Sequence, residues 1–440
     1  MSGLASLGVA WAVLAVAGPA DPVALAEAAR PGDLARVVVE LKADGTFRPA
    51  TPPGAPAAKP MALAVATRLE YFDRVVAVGA RSVPTRAARR VAGASATIGG
   101  DARPTTTAVR PDVAALVASR RGDLGVDVAS LGGPLTRAEL ELVAGPGDPL
   151  ALPALLPPGP VRVGDHWPVG ELAAKNLSGY DALAANGLEA TLEAVTADSA
   201  RVRLLGQVRG VALGGEGSMA CDGSFTFDRK AGRVARLDLR RAETRRPGPV
   251  ESGLDVKSTL SVARADATAA EAALDDDLAA VARADATPGR DLLLFRSPDG
   301  KYTLLHDRDW HIYWDDPRQA VFKRLDRGEM VAQCNIAAGP DAGRGRHQDP
   351  AQFRDDLKKA LGTRFVRFVG QGEVEGVAPG AFRYKVSVEG RQGDAGVLWH
   401  YYLIASPAGD QLIATFTLGM AQQAQFADGD LRMIGTLEWK

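Results

Sequence analysis

Long stretches in which apolar residues take every second position limit the fold of this chain more than any other feature. In "LEATLEAVTADSARVRLLGQVRGVAL" the alternation breaks at Ala197-Asp198, and in "GSFTFDRKAGRVARLDLRRAET" it breaks near Lys230-Ala231-Gly232. A period of two is the side-chain period of a β-strand, so each stretch reads as a hairpin. "ARVVVELKADGTF" runs from Ala35 into a turn at Asp44-Gly45. "MALAVATRLEYFDRVV" follows the Pro-rich "PATPPGAPAAKP", and "GLDVKSTLSVARA" closes the series. One helical patch, "GELAAKNLSGYDALA", interrupts it. Strands this long must curl or pack against something. Residues 31–264 are therefore expected to form a mostly antiparallel β domain.

A chain of 440 residues exceeds one ordinary core, so two domains are expected. Hydrophobic residues at 46% and charged residues at 24% exclude disorder. With 52 basic and 53 acidic side chains and a net charge of -1, no electrostatic case exists for nucleic acid. Cys221 and Cys334 stand far apart without a Cys-x-x-Cys, which excludes a Cys-rich zinc module. Each is expected as a buried free thiol, with an interdomain disulfide as the alternative.

The opening "MSGLASLGVAWAVLAVAGPA" has no charge before Asp21 and ends in small residues, as a secretory signal peptide does. Residues 1–20 are thus expected to direct export, giving a secreted or periplasmic protein. After Asp21 no apolar run is long enough to span a bilayer. Val-Ala-Arg-Ala-Asp-Ala-Thr occurs at 262 and again at 281, at the two ends of an alanine-rich segment, and residues 265–290 are set apart by it. Thr268 with Glu271 makes a capping box, Leu274, Leu278 and Val281 recur at helical spacing, and Pro288-Gly289 stops the run. A connecting helix is expected there.

From Asp291 the character changes. "DLLLF", "YTLLH", "WHIYW" and "EMVAQCNIA" are short strand candidates. Asp349 caps a helix with Pro350 in its first turn, and Phe353, Leu357 and Leu361 form one face before Gly362. "GAFRYKVSVEG" places Phe382, Tyr384, Val386 and Val388 opposite Arg383, Lys385 and Glu389, which predicts a sheet with one buried face. "DLRMIGTLEW" supplies Leu431, Ile434 and Leu437 for a closing helix. The sum is an α+β chain.

The run "SPDGKYTLLHDRDWHIYWD", the Cys-containing strand, the Phe-x-x-Asp-x-x-x-x-Leu helix, "GAFRYKVSVEG" and "YYLIASPAGDQLIATFT" resemble the Mog1/PsbP fold, with Trp310 opening the second arm of its hairpin and Gly409-Asp410 its late turn. The resemblance covers roughly residues 290–440. It implies a C-terminal α-β-α sandwich over residues 291–440 and a non-enzymatic binding or assembly role, with no catalytic residues to carry over. The long strands of the first half are similar to the half-barrel of LolA/LppX-type lipid carriers.

"KYTLLHDRDWHIYWDD" holds the densest set of chemically versatile side chains. With a turn at Asp307-Arg308, Leu305, Trp310, Ile312 and Trp314 share one face of a hairpin. Tyr302, His306, Asp309, His311 and Tyr313 share the other. Two imidazoles and a carboxylate suit a divalent ion, but no further ligand completes the set. The second face is expected to be wetted or to meet a partner. Arg344, Arg346 and His347, beside the helix begun at Asp349, could hold an anion. Asp165 and His166 form a possible base-and-orienter pair, but are expected as a turn that leads Trp167 into the core. No Gly-x-Ser-x-Gly occurs, and "GQGEVEG" precedes no helix.

The expected function is that of an exported, non-catalytic binding or assembly protein with no cofactor implied. Its partner is an unknown protein or an apolar small molecule. The alternatives are a carrier of an apolar ligand or lipid in the first domain and a metal-dependent hydrolase using the His306 set.

Overall fold

The computed structural model describes residues 21–48, 59–100, 104–122, 124–272, 282, 289–375 and 381–440. The expected signal peptide and most of the expected connecting helix lie outside them. The start of that helix is described, where Thr268 and Glu271 exchange the bonds of a capping box before helix α3 (Ala269–Ala272), and so is buried Ala282.

The first half forms a thirteen-stranded antiparallel sheet. Its strands are β1 (Leu34–Arg48), β2 (Met61–Val78), β3 (Pro84–Gly100), β4 (Thr105–Ala108), β5 (Ala115–Arg120), β6 (Val126–Ser130), β7 (His166–Pro168), β8 (Ala182–Asn186), β9 (Glu189–Val195), β10 (Ser199–Ala212), β11 (Gly215–Asp228), β12 (Arg233–Arg245) and β13 (Gly253–Asp266). Their order is β6-β5-β3-β2-β1-β13-β12-β11-β10-β9-β7, with β4 on β3 and β8 on β10. Alternation sorts the faces as expected. Val37, Val39, Leu237, Leu239, Leu260 and Val262 point into one core. Arg36, Arg68, Glu40 and Glu70 make a charged ladder outside. At Gly206, β10 changes partner from β9 to β8. Its φ is +143°, and a Cβ there would meet the Gly187 carbonyl oxygen at 2.1 Å, so only glycine lets the strands approach.

The inner face is plugged by residues 131–180. Helix α1 (Arg137–Val143) brings Leu140 and Val143, and α2 (Glu171–Ser178) brings Leu177. Leu150, Leu152, Leu155 and Trp167 join them, and the Trp167 Nε1–H donates to the Leu155 carbonyl at 2.8 Å. A buried ion triad anchors this plug. Arg89 of β3 donates to Asp73 of β2 at 2.7 Å and to both oxygens of Asp148 at 2.7 and 2.8 Å. α1 had no counterpart in the sequence expectations, and the expected helical patch ends at Gly179, beyond which residues 182–186 are strand β8.

The second half has a small sheet of β14 (Leu293–Arg296), β15 (Tyr302–His306) and β23 (Glu438–Trp439), in the order β14-β15-β23. Its larger antiparallel sheet holds β16 (Trp310–Asp316), β17 (Gln319–Asp326), β18 (Glu329–Ala338), β19 (Phe365–Glu373), β20 (Phe382–Gln392), β21 (Ala395–Ala405) and β22 (Gln411–Gly419). The order is β16-β17-β18-β22-β21-β20-β19. Asp349 caps α4 (Pro350–Leu361), accepting from the Gln352 N–H at 2.9 Å. Phe353 and Leu361 of α4 pack with Val386, Val388 and Trp399. On the opposite face, Phe426 of α5 (Gln423–Phe426) and Met433 and Ile434 of α6 (Gly429–Gly435) pack with Phe416 and Leu398.

Four expectations are corrected. β1 runs straight through Asp44-Gly45, where a turn was expected, because both residues pair with β13, Asp44 opposite Lys257 and Gly45 opposite Val256. The seven-stranded sheet has two covered faces: Arg383 is 7% exposed and donates to the Gly435 and Leu437 carbonyls, capping the closing helix. Leu431 is exposed, and Met433 takes its expected place in the core. Residues 302–316 are no hairpin, because β15 pairs with β14 and β23 while β16 pairs with β17.

Candidate functional site

Regrouping β15 and β16 into different sheets changes the environment of every residue in the histidine-rich stretch. Trp310 is buried as expected, edge-on to Phe416 and Phe426. Tyr302 and His306 are buried too, not wetted. A β-bulge at Tyr313 turns Trp314 outward, where it is 57% exposed rather than in the core.

The histidine cluster is real but sealed. Arg137 of α1 reaches across from the first half and donates to the Arg308 and Trp310 carbonyls. Arg308 returns a bond to the Val128 carbonyl at 2.7 Å, and the Leu294 N–H donates to the Leu135 carbonyl at 2.8 Å. Lys323 donates to the Pro249 carbonyl at 2.6 Å while its ammonium sits 3.3 Å from the centre of the Tyr313 ring. Part of the patch read as a wetted or partner face is thus the seat on which the chain's own first half docks, with His306 buried, His311 and Asp309 partly so, and Tyr313 still exposed. His306 donates from Nδ1 to the Asp307 carbonyl at 2.9 Å, and its buried Nε2 has no partner. Burial, reinforced by the Arg137 charge, pushes His306 and His311 down to about 4, so both are neutral at pH 7. Asp309 is held by Arg324 at 2.6 Å. Among the described residues no group of His, Cys, Asp or Glu is arranged to hold a metal ion.

The loop that carries the expected anion-binding residues lies on the surface. Arg344, Arg346 and His347 are exposed, but Asp349 already occupies the helix N-terminus and Pro350 offers no N–H. His347 stacks on Phe382 at 3.6 Å. Asp165 follows an exposed turn and accepts from the Arg162 N–H, while His166 is the exposed first residue of β7 and donates no bond to it. Cys221 and Cys334 are free and buried, and burial pushes the Cys221 thiol up to about 11.

A different region stays open. The plug covers the inner face of the first sheet only in part, and β1, β2, β3 and β4 extend past it. Their inner side chains, Leu41, Leu63, Val65 and Ile98, are partly exposed, Ile98 at 50%. Leu41, Val65 and Ile98 wall, with α1, an apolar cavity of about 170 Å³ with Glu141 and Asp148 among its lining. The signal was legible: in "MALAVAT" the outward residues Ala62, Ala64 and Ala66 are apolar too, unlike a strand with one wetted face.

No protein-family model matches this chain, and no curated protein does. Among solved structures, the chain is similar to the Ran-binding protein Mog1p of Saccharomyces cerevisiae, at 13% identity and a TM-score of 0.27, over 33% of this chain and 94% of that one. It is similar to cyanobacterial PsbP from Synechocystis at 15% identity and a TM-score of 0.25, over 34% of this chain and 93% of that one. It is also similar to a lipovitellin structure concerned with lipid–protein interactions, at 8% identity and a TM-score of 0.33, over 54% of this chain and 25% of that one. The Mog1p and PsbP likenesses each cover about a third of the chain, and none of these likenesses assigns a function.

Proposed function

We propose that the chain is an exported, non-catalytic binding protein that holds an apolar small molecule or lipid chain against the overhanging strands β1–β4. One observation carries this reading: Leu41, Val65 and Ile98 of the sheet's inner face wall an apolar cavity left open beside α1, at the margin of the plug. Apolar surface left open in a concavity favours a ligand that removes it from water, at roughly 25 cal/mol per Å² buried. The cavity of about 170 Å³ is smaller than a site that encloses a whole lipid, so the ligand lies along the open sheet face with one part inserted. The second half, read as an α-β-α sandwich, serves as a rigid mount clamped to the first through Arg137 and Arg308. An assembly role is favoured separately by Tyr313 and Trp314, which are 40% and 57% exposed on edge strand β16.

The test is displacement of a fluorescent long-chain fatty acid from the purified mature protein. Saturable binding that Val65→Glu abolishes, with the melting temperature preserved, supports the groove. Probe binding that Val65→Glu leaves untouched rules it out. For export, an N-terminus near Asp21 on protein recovered outside the cytoplasm is expected, and intact Met1 on cytoplasmic protein refutes it.

A further inference from the structure

The open cavity beside α1 has a sign as well as a shape. Among the described residues its lining holds two carboxylates, Glu141 and Asp148, and no lysine, arginine or histidine. Resting on the reading that this cavity takes an apolar chain, we propose that its ligand is a cationic amphiphile, an alkyl chain that ends in a protonated amine. The chain lies against Leu41, Val65 and Ile98, and the ammonium faces Glu141 and Asp148.

Uncompensated charge backs the wall. Arg89 is shared by Asp73 and Asp148, and all three side chains are almost fully buried. One cation against two anions leaves a negative charge in the interior, and Asp148 is the member of the triad that reaches the cavity. Its oxygens are taken by Arg89 and by the Leu150 N–H, so it supplies a field rather than a bond. Glu141 supplies the bond. It is exposed on α1 and accepts no hydrogen bond or ion pair among the described residues. Arg137, one turn before it, and Glu251 act on it with opposite signs. The Arg137 guanidinium donates across the junction, to the Arg308 and Trp310 carbonyls. Glu139 on the same helix is already matched by Arg110 at 2.8 Å. Charge in a partly enclosed apolar site is weakly screened, so this excess repels a carboxylate or phosphate head and attracts an ammonium. A neutral hydroxyl head would bond Glu141 but leave the charge of the triad unmatched.

Calorimetric titration of the full chain with octylamine, octanol and octanoate at neutral pH tests this, because the three share a chain and differ in the head. Octylamine is expected to bind about tenfold tighter than octanol, as one charge-assisted hydrogen bond gives, and octanoate more weakly than octanol. Glu141→Gln should cut the preference for octylamine over octanol by about threefold or more, while octanol keeps its affinity. Equal binding of the three by the wild type, tighter binding of octanoate, or a preference undiminished by Glu141→Gln overturns the cationic head and leaves the groove standing. If none of the three gives saturable heat, the groove itself falls and the head with it.

Discussion

The two large sheets meet the same requirement, to cover an apolar face, in different ways. The seven-stranded sheet has helices on both faces, and its central strands bury Val386, Val388, Tyr402 and Phe416 almost completely. The thirteen-stranded sheet has one plug that stops short, so the ends of β1–β4 keep apolar side chains half in water. The difference teaches where to look for function. Full coverage is what stability asks for, and a gap in coverage on long, regular strands needs another occupant.

The sharpest test of the covered part is removal of an anchor in each half. Trp310→Ala and Arg89→Leu should each cost about 3–5 kcal/mol in denaturant melts. The first leaves a ring-sized cavity, and the second leaves Asp73 and Asp148 buried without their cation. Arg68→Leu, on the exposed ladder, should stay within about 1 kcal/mol. Comparable losses for Arg68 and Arg89 would break the distinction between the two faces.

The junction comes next and depends on pH. His306 has its folded pKa lowered to about 4 against 6.5 unfolded, so the unfolded chain takes up the proton first as pH falls. The contribution is complete above about pH 6.5 and is lost as pH drops towards 4, by about 3 kcal/mol. Melts between those pH values should show this slope, and His306→Gln should reduce it while leaving the part supplied by His311, which is lowered to about 4 as well. The wetted face expected from sequence implied almost no cost for replacing His306, so a flat profile in the wild type would restore that view.

Arg137→Ala should cost about 1–3 kcal/mol, the range for hydrogen bonds from a buried charge. It should also hasten proteolysis in residues 283–291. Unchanged cleavage would mean that the halves are held by other contacts, such as Leu293 in the first core.

The smallest effect contrasts the two sheets directly. Val388→Thr buries a hydroxyl at a site that is 0% exposed and should cost about 1–3 kcal/mol. Val65→Thr, half-exposed on the overhang, should change stability by about 0.5 kcal/mol or less while weakening fatty-acid binding. Equal costs at Val65 and Val388 would show that the overhang is already covered.

Much of the architecture was legible. The hairpins turning at Ala197-Asp198 and near Gly232 are present, as are the long strand from Met61, the capped helix from Pro350 and the buried Trp310. These rest on local chemistry, namely side-chain period, turn residues and caps. β3 was missed because "PTRAARRVAGASATIGG" mixes arginine, alanine and glycine without clear alternation. Its Arg89 is an inward residue only because Asp73 and Asp148 converge on it. The candidate site was legible in composition and wrong in exposure.

By itself the sequence determined that the chain would be built of long antiparallel strands, where the hairpins at Ala197-Asp198 and near Gly232 turn, and which residues begin the helix at Pro350. Those features depend on neighbours a few residues apart. Only the tertiary structure decided that β15 and β16 part into separate sheets, that Arg137 seals His306 and His311, and that the plug leaves Val65 and Ile98 uncovered. Each of these depends on partners more than a hundred residues away or on how far one element reaches over another, and a side-chain period carries no information about either.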